Sequence, residues 1–140
     1  ADKLGLDLDA EGVTIVDCGG KAGIELVLGV CQALSIQTGV LHDEDVWPVD
    51  PKLSASDQEK RTAENEAEED KNRRIEQAAG AGRVFVLRPS LEAVLGIGRN
   101  ASDKPRRIAE AVAAIDVKSV PQGLEPLIDA VASVKVASVT

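Results

Sequence analysis

Methionine and tyrosine are missing from this chain of 140 residues, and the remaining aromatics are a single Phe85 and a single Trp47. With aromatics at 1%, a stacking platform for successive bases of single-stranded nucleic acid is not expected. The one histidine, His42, and two cysteines without CxxC spacing, Cys18 and Cys31, give no basis for a zinc site. Both cysteines read as small core residues in a reducing compartment. No apolar run nears the roughly 18 residues of a membrane span, and no signal peptide is evident, so a soluble, cytoplasmic chain is expected, with no membrane partner. Basic residues are outnumbered 16 to 24, and the net charge of -8 argues against a generally basic nucleic-acid surface. It leaves room for a nuclease, because a carboxylate cluster that binds metal is itself acidic. The lack of methionine, with a start at Ala1, fits a fragment or a trimmed chain.

What is present suffices for one domain over residues 1–140. Apolar residues make up 44%, mostly Ala, Val, Leu and Ile, enough for one core. Residues 1–12 read as a helix tail or connection. Val13–Val16 is a β-branched run and a predicted strand. A helix is predicted from Lys21 to Leu34, with Ile24, Val27, Leu28, Cys31 and Leu34 on one face. A second strand is predicted over Thr38–Leu41. After the proline-stiffened loop Val46–Pro51, a strongly charged helical insertion spans 54–80, with Ser56 and Glu59 in a capping-box pattern. Asn72 and Ile75 mark where that helix meets the body. Arg83–Leu87 is the third predicted strand, Leu91–Gly96 a short helical turn, and Lys104 to about Ile115 a helix with Pro105 at an allowed first-turn position. Leu124, Leu127, Ile128 and Val131 give a final helix, with a tail after Val134 that frays or adds an edge strand. Strands alternating with helices imply an α/β fold with a small, mainly parallel sheet.

The stretch Val40-Leu41-His42-Asp43-Glu44-Asp45 organises the rest. A buried strand here places Asp43 and Asp45 at its C-terminal end, where open α/β sheets bind ligands. Residues two apart on an extended backbone point the same way. Two carboxylates on one side repel, and a hard cation such as Mg²⁺ or Mn²⁺ relieves this. Glu92 stands just past the end of the next strand, which completes a candidate metal set of Asp43, Asp45 and Glu92. Arg99, Lys104, Arg106 and Arg107 follow as a local basic patch. Metal-bound carboxylates beside phosphate-holding cations suit phosphodiester chemistry. Gly19-Gly20-Lys21 before the first helix either cradles an anion such as DNA phosphate or simply permits a tight turn; it lacks the Walker A spacing.

In order along the chain, Val13-Thr14-Ile15-Val16-Asp17-Cys18-Gly19-Gly20-Lys21, then Val40 to Asp45, Asn72 before Ile75, Val84–Leu87 with Leu91-Glu92-Ala93-Val94-Leu95-Gly96, and Lys104-Pro105 resemble the Toprim (topoisomerase–primase) domain of OLD-type (overcoming lysogenization defect) nucleases. The similarity covers roughly Leu4 to Ile115. It implies a Rossmann-like Toprim fold and Mg²⁺- or Mn²⁺-dependent cleavage or nicking of DNA. It also implies that Asp43 and Asp45 match the family's metal-binding Asp-x-Asp, that Glu92 matches its later acidic position, and that Lys104 matches the basic residue at the scissile phosphate. Whole members carry an N-terminal ABC-type ATPase domain. The family's Glu-bearing first strand is not found ahead of Leu4, so the domain reads as N-terminally truncated and catalytically deficient by itself. An edge left open by that strand invites a homodimer through strand pairing.

Three other readings compete. A receiver-like phosphoacceptor module also uses strand-end carboxylates and Mg²⁺, but its acidic pair normally follows the first strand, where Val16-Asp17-Cys18 is a poor match. An aspartyl phosphohydrolase wants a Thr where Val46 and Trp47 stand. A non-catalytic interaction module would use the charged helix as its contact surface.

Overall fold

Two short runs of mainly branched apolar residues pair as parallel strands. They are β1, Val40–Asp43, and β2, Val84–Leu87. Their register sets Val40 beside Val84 and Asp43 beside Leu87. Parallel neighbours need a crossover, and here it contains the charged helix. The structure, a computed structural model, describes residues 7–80, 83–116 and 118–137.

Helix α1 runs over Lys21–Ala33, α2 over Ala55–Ala79, α3 over Leu91–Val94, α4 over Lys104–Ala114 and α5 over Glu125–Ala137. α1 packs along α2, and α5 packs against both strands. The core is small. Ile24 and Leu28 of α1, Val40 of β1 and Ile75 of α2 form it, with Cys18, Ala78, Ala79 and Val84 against them. Ile75 is fully buried, as expected for the point where the charged helix meets the body. Cys18 and Cys31 are free thiols.

Four expectations give way. Val13–Val16 is no strand. A strand needs a ladder partner, none stands beside it among the described residues, and Ile15 remains 76% exposed. The sheet therefore has two strands among those residues, not three. α1 ends at Ala33, which turns Leu34 out of the core face to 65% exposure. α2 is capped two residues upstream of the expected box: Ser54 Oγ accepts from the Asp57 N–H and donates to the Asp57 carboxylate. The reach of α5 to Ala137 leaves no edge strand in the described tail. Leu4 and Leu6 lie outside the described residues, and residues 8–12 form turns.

Candidate active site

Past β1 the chain keeps to the side of the second strand for two more residues. The Glu44 N–H donates to Leu87 O at 2.9 Å and the Asp45 N–H to Pro89 O at 2.8 Å. Asp45 then adopts the left-handed region, φ 60°, which Asp tolerates better than most residues. Across from it, Ser90 caps the short α3, its Oγ accepting from the Ala93 N–H, and this sets Glu92 in the first turn. Asp43 Oδ1 accepts from the Leu91 N–H at 2.8 Å, tying the end of β1 to the start of α3. Lys104, at the start of α4, donates to Glu92 Oε1 at 3.1 Å. Asp43, Asp45, Glu92 and Lys104, spread over 43–104 in the sequence, thus line one cavity of about 450 Å³ at the C-terminal ends of the parallel strands.

Gly19, Gly20 and Lys21 form the entry to α1. The Gly19 N–H donates to Asp17 Oδ1 at 2.8 Å, and Gly19 and Gly20 take φ of 66° and 119°, so the pair serves a tight Asx-type turn. The Lys21 ammonium is turned to the carboxylates. It donates to Glu68 Oε2 at 2.8 Å and Glu44 O at 3.0 Å and pairs with Asp45 Oδ2 at 3.1 Å. Three donors meet three acceptors, and its side chain is only 10% exposed. Arg106 and Arg107 are exposed on α4 and do not line the cavity, and Arg106 pairs with Asp103 and Glu110.

Sequence reasoning passed over Trp47, Ser90 and the cavity-facing residues of α2: Arg61, Glu64, Glu68 and Lys71. A signal existed. Stepping back from buried Ile75 by helical turns reaches Lys71, Glu68, Glu64 and Arg61, one face of α2. The composition of that face looks solvated, and only its phase with Ile75 marks it as inward.

Burial raises the Asp43 carboxyl above its usual range. The Leu91 N–H opposes this, and the charges of Asp45 and Glu92 add to it. Among the described residues Asp43 has no ion pair. Burial also pushes Glu68 upward, but hydrogen bonds from Lys21 and Lys71 outweigh it and hold its carboxyl low. Glu92 is held low first by its own backbone N–H, against burial, with help from Lys104 and Ser90. The cavity therefore has one half-buried carboxylate without a cation and an all-oxygen acidic donor set, which fits a hard divalent ion in donor type and charge. Among the described residues no three acidic, His or Cys groups stand together as one ligand cluster: Asp45 and Glu92 are each engaged by a lysine.

Residues 1–45 match the family described as overcoming lysogenization defect protein-like, TOPRIM domain. An OLD nuclease of Thermus scotoductus is 56% identical over 133 residues, which is 95% of this chain. The chain is thus similar to the OLD-like Toprim family in its first third and to part of an OLD nuclease over nearly all its length. It spans 25% of the length of that relative. The stretch matched by the OLD-like Toprim family ends on Asp45 and so contains the glycine turn and the Asp-x-Asp. The small parallel sheet flanked by helices agrees with the Rossmann-like Toprim architecture. Among the described residues no helix is long and apolar enough to cross a membrane.

Proposed function

We propose that this chain is the DNA-cleaving Toprim domain of an OLD-type nuclease, hydrolysing or nicking phosphodiester bonds with Mg²⁺ or Mn²⁺. The observation that carries the reading is the convergence of Asp43, Asp45, Glu92 and Lys104 on one cavity at the strand ends. Asp43, Asp45 and Glu92 would hold the cation, which supplies water activation and stabilisation of the leaving oxygen. Lys104, which pairs with Glu92, would bind a non-bridging oxygen of the scissile phosphate. Lys21 fixes Asp45 from behind. α2, within the 54–80 insertion of a single domain over 1–140, walls the cavity. Arg106 and Arg107 offer a phosphate track on α4, outside the cavity, and the Gly19-Gly20 turn holds Lys21 rather than phosphate.

The similarity to an OLD nuclease supports DNA as substrate and a larger whole protein. In the family picture that protein adds an ABC-type ATPase domain; a cytoplasmic location and a homodimer are further proposals. Asp43→Ala and Asp45→Ala in the full-length protein should each lower Mn²⁺-dependent nicking of plasmid DNA by about a hundredfold or more, with unchanged circular dichroism. Full activity in the double variant would end this reading.

A further inference from the structure

Trp47 is the one tryptophan of the chain, and it lies in the wall of the acidic cavity with Asp43, Asp45 and Glu92. One side chain of α2 fixes it from both ends of its own residue. The Trp47 N–H donates to Asn65 Oδ1 at 3.0 Å, and Asn65 Nδ2 donates back to Trp47 O at 2.7 Å. Pro48 and Pro51 stiffen the backbone that follows. The residue is only partly buried. The Arg99 guanidinium lies over the ring, 5.2 Å from its centroid.

The charge pattern singles out Arg99. The other cations lining the cavity are each paired with a carboxylate: Arg61 with Glu64, Lys71 with Glu68, and Lys104 with Glu92. Among the described residues Arg99 has no such partner. An indole is a stacking surface for any base, and a guanidinium is a planar phosphate partner. A volume of about 450 Å³ is within the range of small-ligand sites. One aromatic serves one base, so the composition that speaks against a strand-long platform leaves a single nucleotide within reach.

We propose that Trp47 and Arg99 form a single-nucleotide subsite of the acidic cavity, the indole stacking on one unpaired base and the guanidinium pairing with its phosphate. The cavity then prefers single-stranded or frayed nucleic acid, because a closed duplex offers no free base face. The inference rests on the reading of the cavity as a phosphodiester-cleaving site.

The chain's lone indole is its own reporter. In EDTA at low ionic strength, a short single-stranded oligodeoxynucleotide should quench Trp47 fluorescence saturably. The same sequence closed into a duplex capped by hairpin loops at both ends, or inorganic phosphate, should quench far less. With a dye-labelled strand followed by anisotropy, Trp47→Phe should bind within a few-fold of the parent chain. Trp47→Leu and Arg99→Gln should each bind about tenfold more weakly. Absence of quenching, equal quenching by duplex, or Trp47→Leu binding as tightly as Trp47→Phe would overturn the subsite. Metal-dependent nicking by Asp43→Ala is scored separately. Loss of nicking there without quenching here removes the subsite and keeps the nuclease reading, whereas quenching with undiminished nicking does the reverse.

Discussion

Asp43 is held in the site at a cost to the fold. Its carboxyl titrates above the usual range because it is partly buried and faces Asp45 and Glu92. The folded chain therefore holds this proton more tightly than the unfolded chain does. Stability falls as pH rises from the ordinary Asp range through the raised value. Asp43→Asn keeps an acceptor for the Leu91 N–H and removes the charge, so it should melt a few degrees higher than the parent at neutral pH. The gain should vanish below the ordinary Asp range, and thermal melts across pH check both halves. Glu68 has the opposite sign. Its carboxyl is held low, so the stability it contributes is present above the usual Glu range and is lost as pH falls through the lowered value. Glu68→Gln should cost about 1 kcal/mol at neutral pH and nothing in strong acid, as read by denaturant titration. These two carboxylates also show what was legible in the chain. Asp43 was found because an apolar run ends on it. Glu68 was not, because its meaning depends on which face of α2 turns inward and on a lysine 47 residues away.

Elements were legible where their signals are local. The first four helices begin and end within about two residues of the predicted limits, since capping residues, glycines and prolines act on their own neighbours, whereas α5 runs past its expected end to Ala137. Val13–Val16 shows the limit: β-branched composition suits a strand, but only a partner makes one. Gly23, in the first turn of α1, gives the element-scale prediction. A Cβ there would lie 1.9 Å from the Cys18 carbonyl oxygen. Alanine would favour the helix by about 1 kcal/mol, but a clash with a backbone atom has no rotamer to relieve it and typically costs about 1–3 kcal/mol. The clash should win. Gly23→Ala should lower the melting temperature by a few degrees and loosen the Lys21 ammonium from Asp45, visible as changed amide shifts at both residues.

At the scale of the whole molecule, the described core is small and the exposed apolar surface is not. Leu26 and Val30, spaced by four on one side of α1, and Leu34 just past its end are 71%, 52% and 65% exposed. A patch of this kind exceeds the scattered apolar residues of an ordinary surface. The chain should bind a hydrophobic dye such as ANS, and Leu26→Glu with Leu34→Glu should reduce the signal several-fold while helix content stays the same. An unchanged signal would place the dye elsewhere.

Helix α2 is far longer than the strands it joins. Its 25 residues extend about 37 Å, against about 13 Å for a four-residue strand. The end carrying Ile75 is anchored in the core, while the overhanging end carries Arg61, Asn65 and Glu68 over the cavity. α2 is thus a screw as well as a wall. Deleting one residue between Glu68 and Ile75 turns the overhang by about 100° and swings Glu68 away from Lys21. Inserting seven there nearly restores the angle but pushes the overhang out by about 10 Å. Length changes in this helix are therefore tolerated neither singly nor by the heptad, and the polar stretch with the plainest composition in the chain is the one whose residue count is most tightly fixed.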